Sequence, residues 1–425
     1  MSIQHLWPAL VVLGAVMAPS LPAQPKPAAS TLTPIYAFQG SPDGAYPLGG
    51  VVADSNGSLY GVTINGGATN GCGCGTVYQL TDSGGGWSSS VLYSFMGSTD
   101  GGGPRGPLVF DKSGNLYGAA NYGADSSGVV FQLLAPTSTG GPWTERVLYT
   151  FTGGDDGSVP NGGLVFDSDG VLYGSAVEGG TYTAGTIFSL TPPAGGPDGL
   201  WSFKLVYTFT GGSFGSMDGS GPNGNLVFGR GGELYGTTSL GGDAGSLGTI
   251  FRLARPATPS GAWTEKVLYD FPDTSGGSSP QVGLIANKNG ALYGTTPSGS
   301  GSSLYGTVFE LAPPAETGGD WVYTTLANFG SKRGISPNLV TLNASGDLDG
   351  TTYGGGSSNE GVVFQLKPTT AGKPWKETVL NSFSGAEGYT PNGSLLRLKG
   401  GELYGVAEYG GDPDCNCGTV YEVIP

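Results

Sequence analysis

Histidine is nearly absent from this chain. Its one copy, His5, stands among the first residues, so a form lacking the leader holds none. That excludes Ser-His-Asp and Cys-His catalysis, histidine-bearing zinc sites and the usual neutral-pH general base. Positive charge is scarce as well: 17 lysines and arginines face 32 acids, a formal net charge of −15. Nucleic acids and anionic membranes both demand a basic surface, so neither is expected as a partner. Only 12% of residues are charged, and they form no blocks. Such a surface suits solubility outside the cell or the binding of cations. Beyond the N-terminus no apolar run is long enough to span a bilayer, so membrane insertion is not expected.

The N-terminus itself reads as an export signal. Leu6 to Ala18 is apolar apart from Pro8, and Pro19-Ser20-Leu21-Pro22-Ala23 follows it. Cleavage is expected after Ala23, with Ala18 the alternative, although the leading residues carry no Lys or Arg. Residues 1–23 are then a signal peptide and 24–33 a linker. No cysteine near the cleavage site could take a lipid, and no hydrophobic tail precedes Pro425. A secreted or periplasmic monomer is the expectation.

Glycine (82) and proline (30) are plentiful, and they punctuate a repeat. Leu-Tyr-Gly stands at 59–61, 116–118, 172–174, 234–236, 292–294 and 403–405, and a seventh copy reads Leu348-Asp349-Gly350. Successive copies lie 55 to 62 residues apart. Fixed-period self-similarity means one supersecondary unit repeated, each burying its apolar face on the next.

The third unit shows the plan. Leu164-Val165-Phe166 is a short strand, Asp167 to Gly170 a tight turn, and Leu172-Tyr173-Gly174 opens a second strand. Gly185 to Leu190 is a third strand and Leu205 to Phe209 a fourth. Four short antiparallel strands at this period predict a propeller blade. Seven third strands can be counted, but only six fourth strands lie between repeats. The missing one is Ile35-Tyr36-Ala37-Phe38, ahead of the first repeat. The expected fold is therefore all-β: a seven-bladed β-propeller over residues 34–425, its ring closed by the N-terminal strand completing the last blade. The alternative is four sequential strands per blade with no interlock. Six tryptophans from Trp87 to Trp375 each stand eight residues before the Phe that ends a fourth strand. Interblade packing accounts for them, and sugar stacking is the functional rival.

Units of the form Pro-x-x-x-Leu-Val-x-Asp, Gly-x-Leu-Tyr-Gly and Gly-Thr-Val-Phe-x-Leu resemble the bacterial GloVer tandem-repeat family, also called choice-of-anchor repeat proteins. The resemblance covers all seven units. It implies an exported repeat protein of propeller type and carries over no catalytic residues. A C-terminal anchoring segment, which the family label suggests, is not seen.

Candidate chemistry lies in the crossings between blades. Asp-Gly-x-x-Pro occurs at Asp43, Asp100, Asp156 and Asp218, and Glu387 holds the matching place in the last unit. In a propeller these crossings share a face with the loops between second and third strands. A ring of carboxylates there would bind Ca²⁺ or a polar saccharide. Turn formation by Asp-Gly is the structural alternative. Asp349 replaces the repeat tyrosine, and Arg397 stands on an inner strand where other full-length units have Ala or Phe. A charge at such places must be paired or wet, so either one facing a solvated channel is the functional reading.

Cys72-Gly73-Cys74 and Cys415-Asn416-Cys417 hold equivalent places in the first and last units. An even count in an exported chain suggests disulfides, with three connectivities open. Equivalent positions on neighbouring blades would lie about 15 Å apart, beyond the roughly 7 Å that a bridge allows between Cα atoms. Local Cys72–Cys74 and Cys415–Cys417 pairs are favoured; a four-thiolate zinc site is the rival. For function, these features predict a non-catalytic exported propeller that binds a polysaccharide, cell-wall component or protein through its loop face. A glycosidase or lyase with carboxylates at the channel mouth, and a structural matrix or surface-layer component, are the alternatives.

Overall fold

The computed structural model describes residues 29–425 apart from 70, 124–126, 139, 195–198, 213–216, 243–246, 259–260, 275, 300–304, 317 and 370–373. The expected signal peptide and most of the linker lie outside these residues. Among them there is no helix, and every regular element is a strand.

The strands fall into consecutive antiparallel sets, and the repeat fixes each boundary. In the first set Ala45–Ala53 pairs with Leu59–Asn65, which pairs with Thr76–Asp82, which pairs with Trp87–Ser94. The last set is Tyr389–Arg397, Leu403–Tyr409 and Thr419–Ile424, and its fourth strand is Thr31–Ala37 from the N-terminus. That strand begins at Thr31, four residues before the expected Ile35, because its partner runs on to Ile424 and Thr31 pairs with it. A parallel bridge from Gly50 to Ser394 joins the first and last sets into one eight-stranded sheet. Five further sheets lie between them; in three, the inner strand comes in two pieces that pair with the same neighbour. Gly102–Pro104 and Val109–Phe110 are one example.

Leu-Tyr-Gly now has a packing reason at each residue. The leucine is buried in every copy. The glycine lies directly across from the aromatic of the third strand, Gly118 opposite Phe131 for instance. A Cβ on Gly118 would fall 2.5 Å from Phe131 Cζ, so the ring lies where any side chain would be. The tyrosine reaches the next set: Tyr117 meets Phe166 edge-on at 5.0 Å, and Tyr60 meets Phe110 at 5.2 Å. Its hydroxyl donates to the aspartate that opens the turn between first and second strands, Asp111 at 3.0 Å and Asp54 at 3.1 Å. That aspartate also accepts two backbone N–H bonds, an Asx turn.

The core runs along the seams between sets rather than in one centre. The Phe ending each fourth strand packs edge-on against the third-strand aromatic of the following set. The pairs are Phe95–Phe131, Phe151–Phe188, Phe209–Phe251, Phe271–Phe309, Phe329–Phe364, Phe383–Tyr421 and Phe38–Tyr78, with ring centroids 4.9 to 5.9 Å apart. All of these phenylalanines are buried. Edge-to-face pairs add about 0.5–1.5 kcal/mol each beyond area burial. The tryptophans also work across seams: Trp201 packs on Tyr117 and Trp263 on Tyr173.

Candidate functional site

Each crossing between sets ends in a proline that fits over a glycine of the preceding set. The residue before that proline is left-handed in all seven crossings, and in five it is not glycine: Tyr46, Val159, Ser279, Ser336 and Thr390 have φ between 52° and 59°. Such a conformation costs roughly 1–3 kcal/mol and persists only where surrounding contacts impose it. The contact is an intersheet hydrogen bond. Gly103 N donates to Cys74 O, Val159 N to Ser127 O, Gly221 N to Ala184 O, Ser279 N to Leu247 O, Ser336 N to Tyr305 O, Thr390 N to Glu360 O and Tyr46 N to Cys417 O, all at 2.7–2.9 Å.

Seven residues directly follow these latch prolines. These are Leu48, Arg105, Asn161, Asn223, Gln281, Asn338 and Asn392. Most of them line a cavity of about 260 Å³ to which all seven sets contribute. Glycine backbones narrow it: a Cβ on Gly162 would lie 2.4 Å from Gly224 O, so consecutive inner strands touch main chain to main chain. Asn161 Nδ2 donates to Asn223 Oδ1 at 2.9 Å. Asn338 is buried and donates to Pro391 O at 2.7 Å. Arg105 is exposed; with the Asn121 amide turned to suit its neighbours, Arg105 Nε donates to the amide oxygen at 3.1 Å and Asn121 Nδ2 donates to Pro160 O at 3.1 Å. Among the described residues lining the cavity there is no Asp or Glu, and the one charge is a guanidinium. Amides offer both donors and acceptors at fixed spacing, so this lining suits a polar ligand rich in hydroxyls.

The crossing carboxylates lie outside that cavity, each turned into its own loop. Asp100 accepts from Tyr93 OH at 2.9 Å and from Met96 N at 2.8 Å. Asp156 does the same with Tyr149 and Thr152, Asp218 with Tyr207 and Thr210, and Asp43 with Tyr36 and Gln39. Glu387 accepts from Ser384 N and Oγ. Burial pushes the Asp43 carboxyl up against these bonds. Burial would also raise Asp156, but the bonds from Thr152 and Tyr149 together hold it below the ordinary range. Two further glutamates face this row. Burial, and then the charge of Asp100 or Asp218, raises Glu145 and Glu265 each to about 7. Among the described residues, no three His, Cys, Asp or Glu side chains converge as a metal cluster.

A model of the Gloeobacter/Verrucomicrobia repeat matches residues 24–212, 144–338 and 195–421, three overlapping stretches that leave little of the chain uncovered. The chain belongs to this repeat family. No curated protein sequence matches it. Among solved structures it is similar to a protein of unknown function from Dyadobacter fermentans, at 12% identity over 93% of this chain and 98% of that one, TM-score 0.46. It is also similar to a protein described as a 6-phosphogluconolactonase from Bacteroides fragilis, at 14% identity over 89% and 98%, TM-score 0.49. A third is described as an oxidoreductase (glucose dehydrogenase) from Thermus thermophilus, at 16% identity over 75% and 95%, TM-score 0.43.

Within the repeat, the two irregular residues turn out to be partners. Arg397 Nη2 donates to Asp349 Oδ2 across the seam between the sixth and seventh sets. The Asp349 side chain is fully buried and that of Arg397 is 20% exposed. Gln365 Nε2 satisfies the other carboxylate oxygen at 2.8 Å, and Arg397 Nη1 donates to Gly401 O. The pair therefore stands where three other seams put Tyr against Phe, and neither residue lines the cavity. The cysteines are bonded locally, Cys72 to Cys74 and Cys415 to Cys417, each with Cα atoms 5.2 Å apart. Cys74 and Cys417 supply the latch carbonyls on either side of the first set. The residues after the latch prolines were missed in the sequence, although Pro-Asn recurs at 160–161, 222–223, 337–338 and 391–392. That dipeptide was a usable signal.

Proposed function

We propose that the seven sets close into a seven-bladed propeller, exported from the cell, which binds a saccharide in its axial cavity and does not transform it. Closure is supported by three contacts that recur at every seam, including the one between the last and first sets. These are the latch hydrogen bond Tyr46 to Cys417, the Phe38–Tyr78 ring pair, and the packing of Pro47 on Gly418. The strand Thr31–Ala37 also carries the register shift, between Pro34 and Tyr36, that marks the other fourth strands. Closing the ring removes the two sheet edges that an open array would expose.

The observation that carries the binding reading is the cavity lining of side-chain amides and one guanidinium, without a carboxylate. A glycosidase needs two carboxyl groups about 5 to 9.5 Å apart across its substrate, and this cavity brings none together. A mature protein presented to an oligosaccharide array is expected to retain a subset of glycans. Asn161→Ala with Asn223→Ala is expected to weaken that retention at least tenfold, the worth of one to two polar contacts. Unchanged retention in the double variant, or release of shortened sugars by the wild type, overturns the reading.

A further inference from the structure

We propose that the axial cavity selects a saccharide bearing a single carboxylate, a uronic acid unit, and that Arg105 receives it. This rests on the binding reading above and names the class of ligand. The repeat supplies the argument. After the latch proline, five of the seven sets place an amide, Asn161, Asn223, Gln281, Asn338 and Asn392, and one places Leu48. Arg105 is the one departure to a charge.

The guanidinium is held for use. With the Asn121 amide turned as its neighbours require, Arg105 Nε is occupied by that amide's oxygen and its nitrogen by the Pro160 carbonyl, while the residue remains exposed at the cavity. With Nε engaged, the two terminal amino groups form the fork that fits a carboxylate. Among the described residues no carboxylate lies within ion-pair distance of Arg105, whereas Arg255, Arg333 and Arg397 each have one. Arg105 is the arginine that stands in the lining of the shared cavity, and it has no carboxylate partner among the described residues. The Tyr122 ring lies alongside, over Gly103, 36% exposed and within the field of Arg105. One charge is also the limit. A net charge of −15 repels anions, and with one cation in the lining a dianionic phosphate gains no second partner to offset the added repulsion.

The test offers the full mature protein a panel of oligosaccharides, each in its neutral hexose form and its C6-oxidised uronate form, and titrates binding calorimetrically. At least one uronate is expected to bind tenfold or more tightly than its neutral twin, with the gap narrowing in 1 M salt, on the order of a 3 Å screening length. Arg105→Asn restores the residue that the repeat itself uses, so folding is retained. It is expected to bring uronate affinity down to that of the neutral twin and leave the twin unchanged. If neutral glycans bind through Asn161 and Asn223 but Arg105→Asn leaves uronate affinity intact, this inference falls and the binding reading stands. If neither form binds, or binding ignores Asn161 and Asn223, the binding reading falls and takes this inference with it.

Discussion

Replacing Arg397 by phenylalanine strands a fully buried carboxylate at Asp349, with Gln365 as its one remaining side-chain donor. Removing one member of a buried ion pair costs about 3–5 kcal/mol. Asp349→Tyr alone is less severe, because Arg397 retains 20% exposure and its bond to Gly401 O. About 2 kcal/mol is expected for that variant, in the middle of the range for an unpaired polar group. The double variant Asp349→Tyr, Arg397→Phe recreates the seam of Tyr117 and Phe166, whose rings meet at 5.0 Å and 89°. Its tyrosine hydroxyl would find partners already in place. Gln365 corresponds to Gln132, which donates to Tyr117 at 2.6 Å, and Asn343 to Asn287, which donates to Tyr293 at 3.2 Å. Replacing a buried pair by well-packed groups is neutral or stabilising by about 1–4 kcal/mol. Urea unfolding followed by tryptophan fluorescence is therefore expected to give a lower midpoint for each single variant and a midpoint at or above wild type for the double. A cost below about 1 kcal/mol for Arg397→Phe, or a double variant no better than that single, refutes the reasoning.

Glu145 and Glu265 hold their protons to about 7, against 4.5 for a free glutamate, so their contribution is full below 4.5 and is lost as pH rises through 7. With partial solvent screening discounted, Glu145→Gln is expected to gain about 1 kcal/mol over wild type at pH 8 and nothing at pH 4; equal gains at both would contradict it. Gly118→Ala, with its Cβ 2.5 Å from Phe131, is expected to lose about 1–3 kcal/mol in urea midpoint, whereas Gly85→Ala, with nothing within 4 Å, is expected to be neutral. Replacing the four cysteines by serine is expected to cost about 1.5 kcal/mol for each small loop. Hydrogen exchange should then quicken first at the Tyr46 and Gly103 amides, which bond to Cys417 O and Cys74 O.

Much of the architecture was legible because a repeat writes its packing many times over. Leu-Tyr-Gly marked the second strand of every set, and the count of fourth strands pointed to Ile35–Phe38 as the partner of the chain's last strand. Local cysteine pairing was legible too, since the spacing between neighbouring blades leaves only short bridges. These features depend on local spacing and strand periodicity, which any single unit displays. The aspartates of the Asp-Gly-x-x-Pro crossings were read as a potential ring, yet Asp100 and Asp156 each turn back to a tyrosine of their own fourth strand. A hydrogen bond seven residues back along the chain is invisible to motif spacing, because a register shift in that strand decides which way the tyrosine points.

What the sequence determined by itself was the unit, its period and the apolar faces that must meet at each seam. Only the tertiary structure decided what gathers at the shared cavity and which exceptions belong together. Asn161 and Asn223 are 62 residues apart and bond at 2.9 Å because glycine backbones let successive inner strands converge there. Asp349 and Arg397, 48 residues apart, looked like two separate lapses of the repeat until the seam put them in contact. Convergence on one cavity is a property of the assembled sets, and no one repeat contains it.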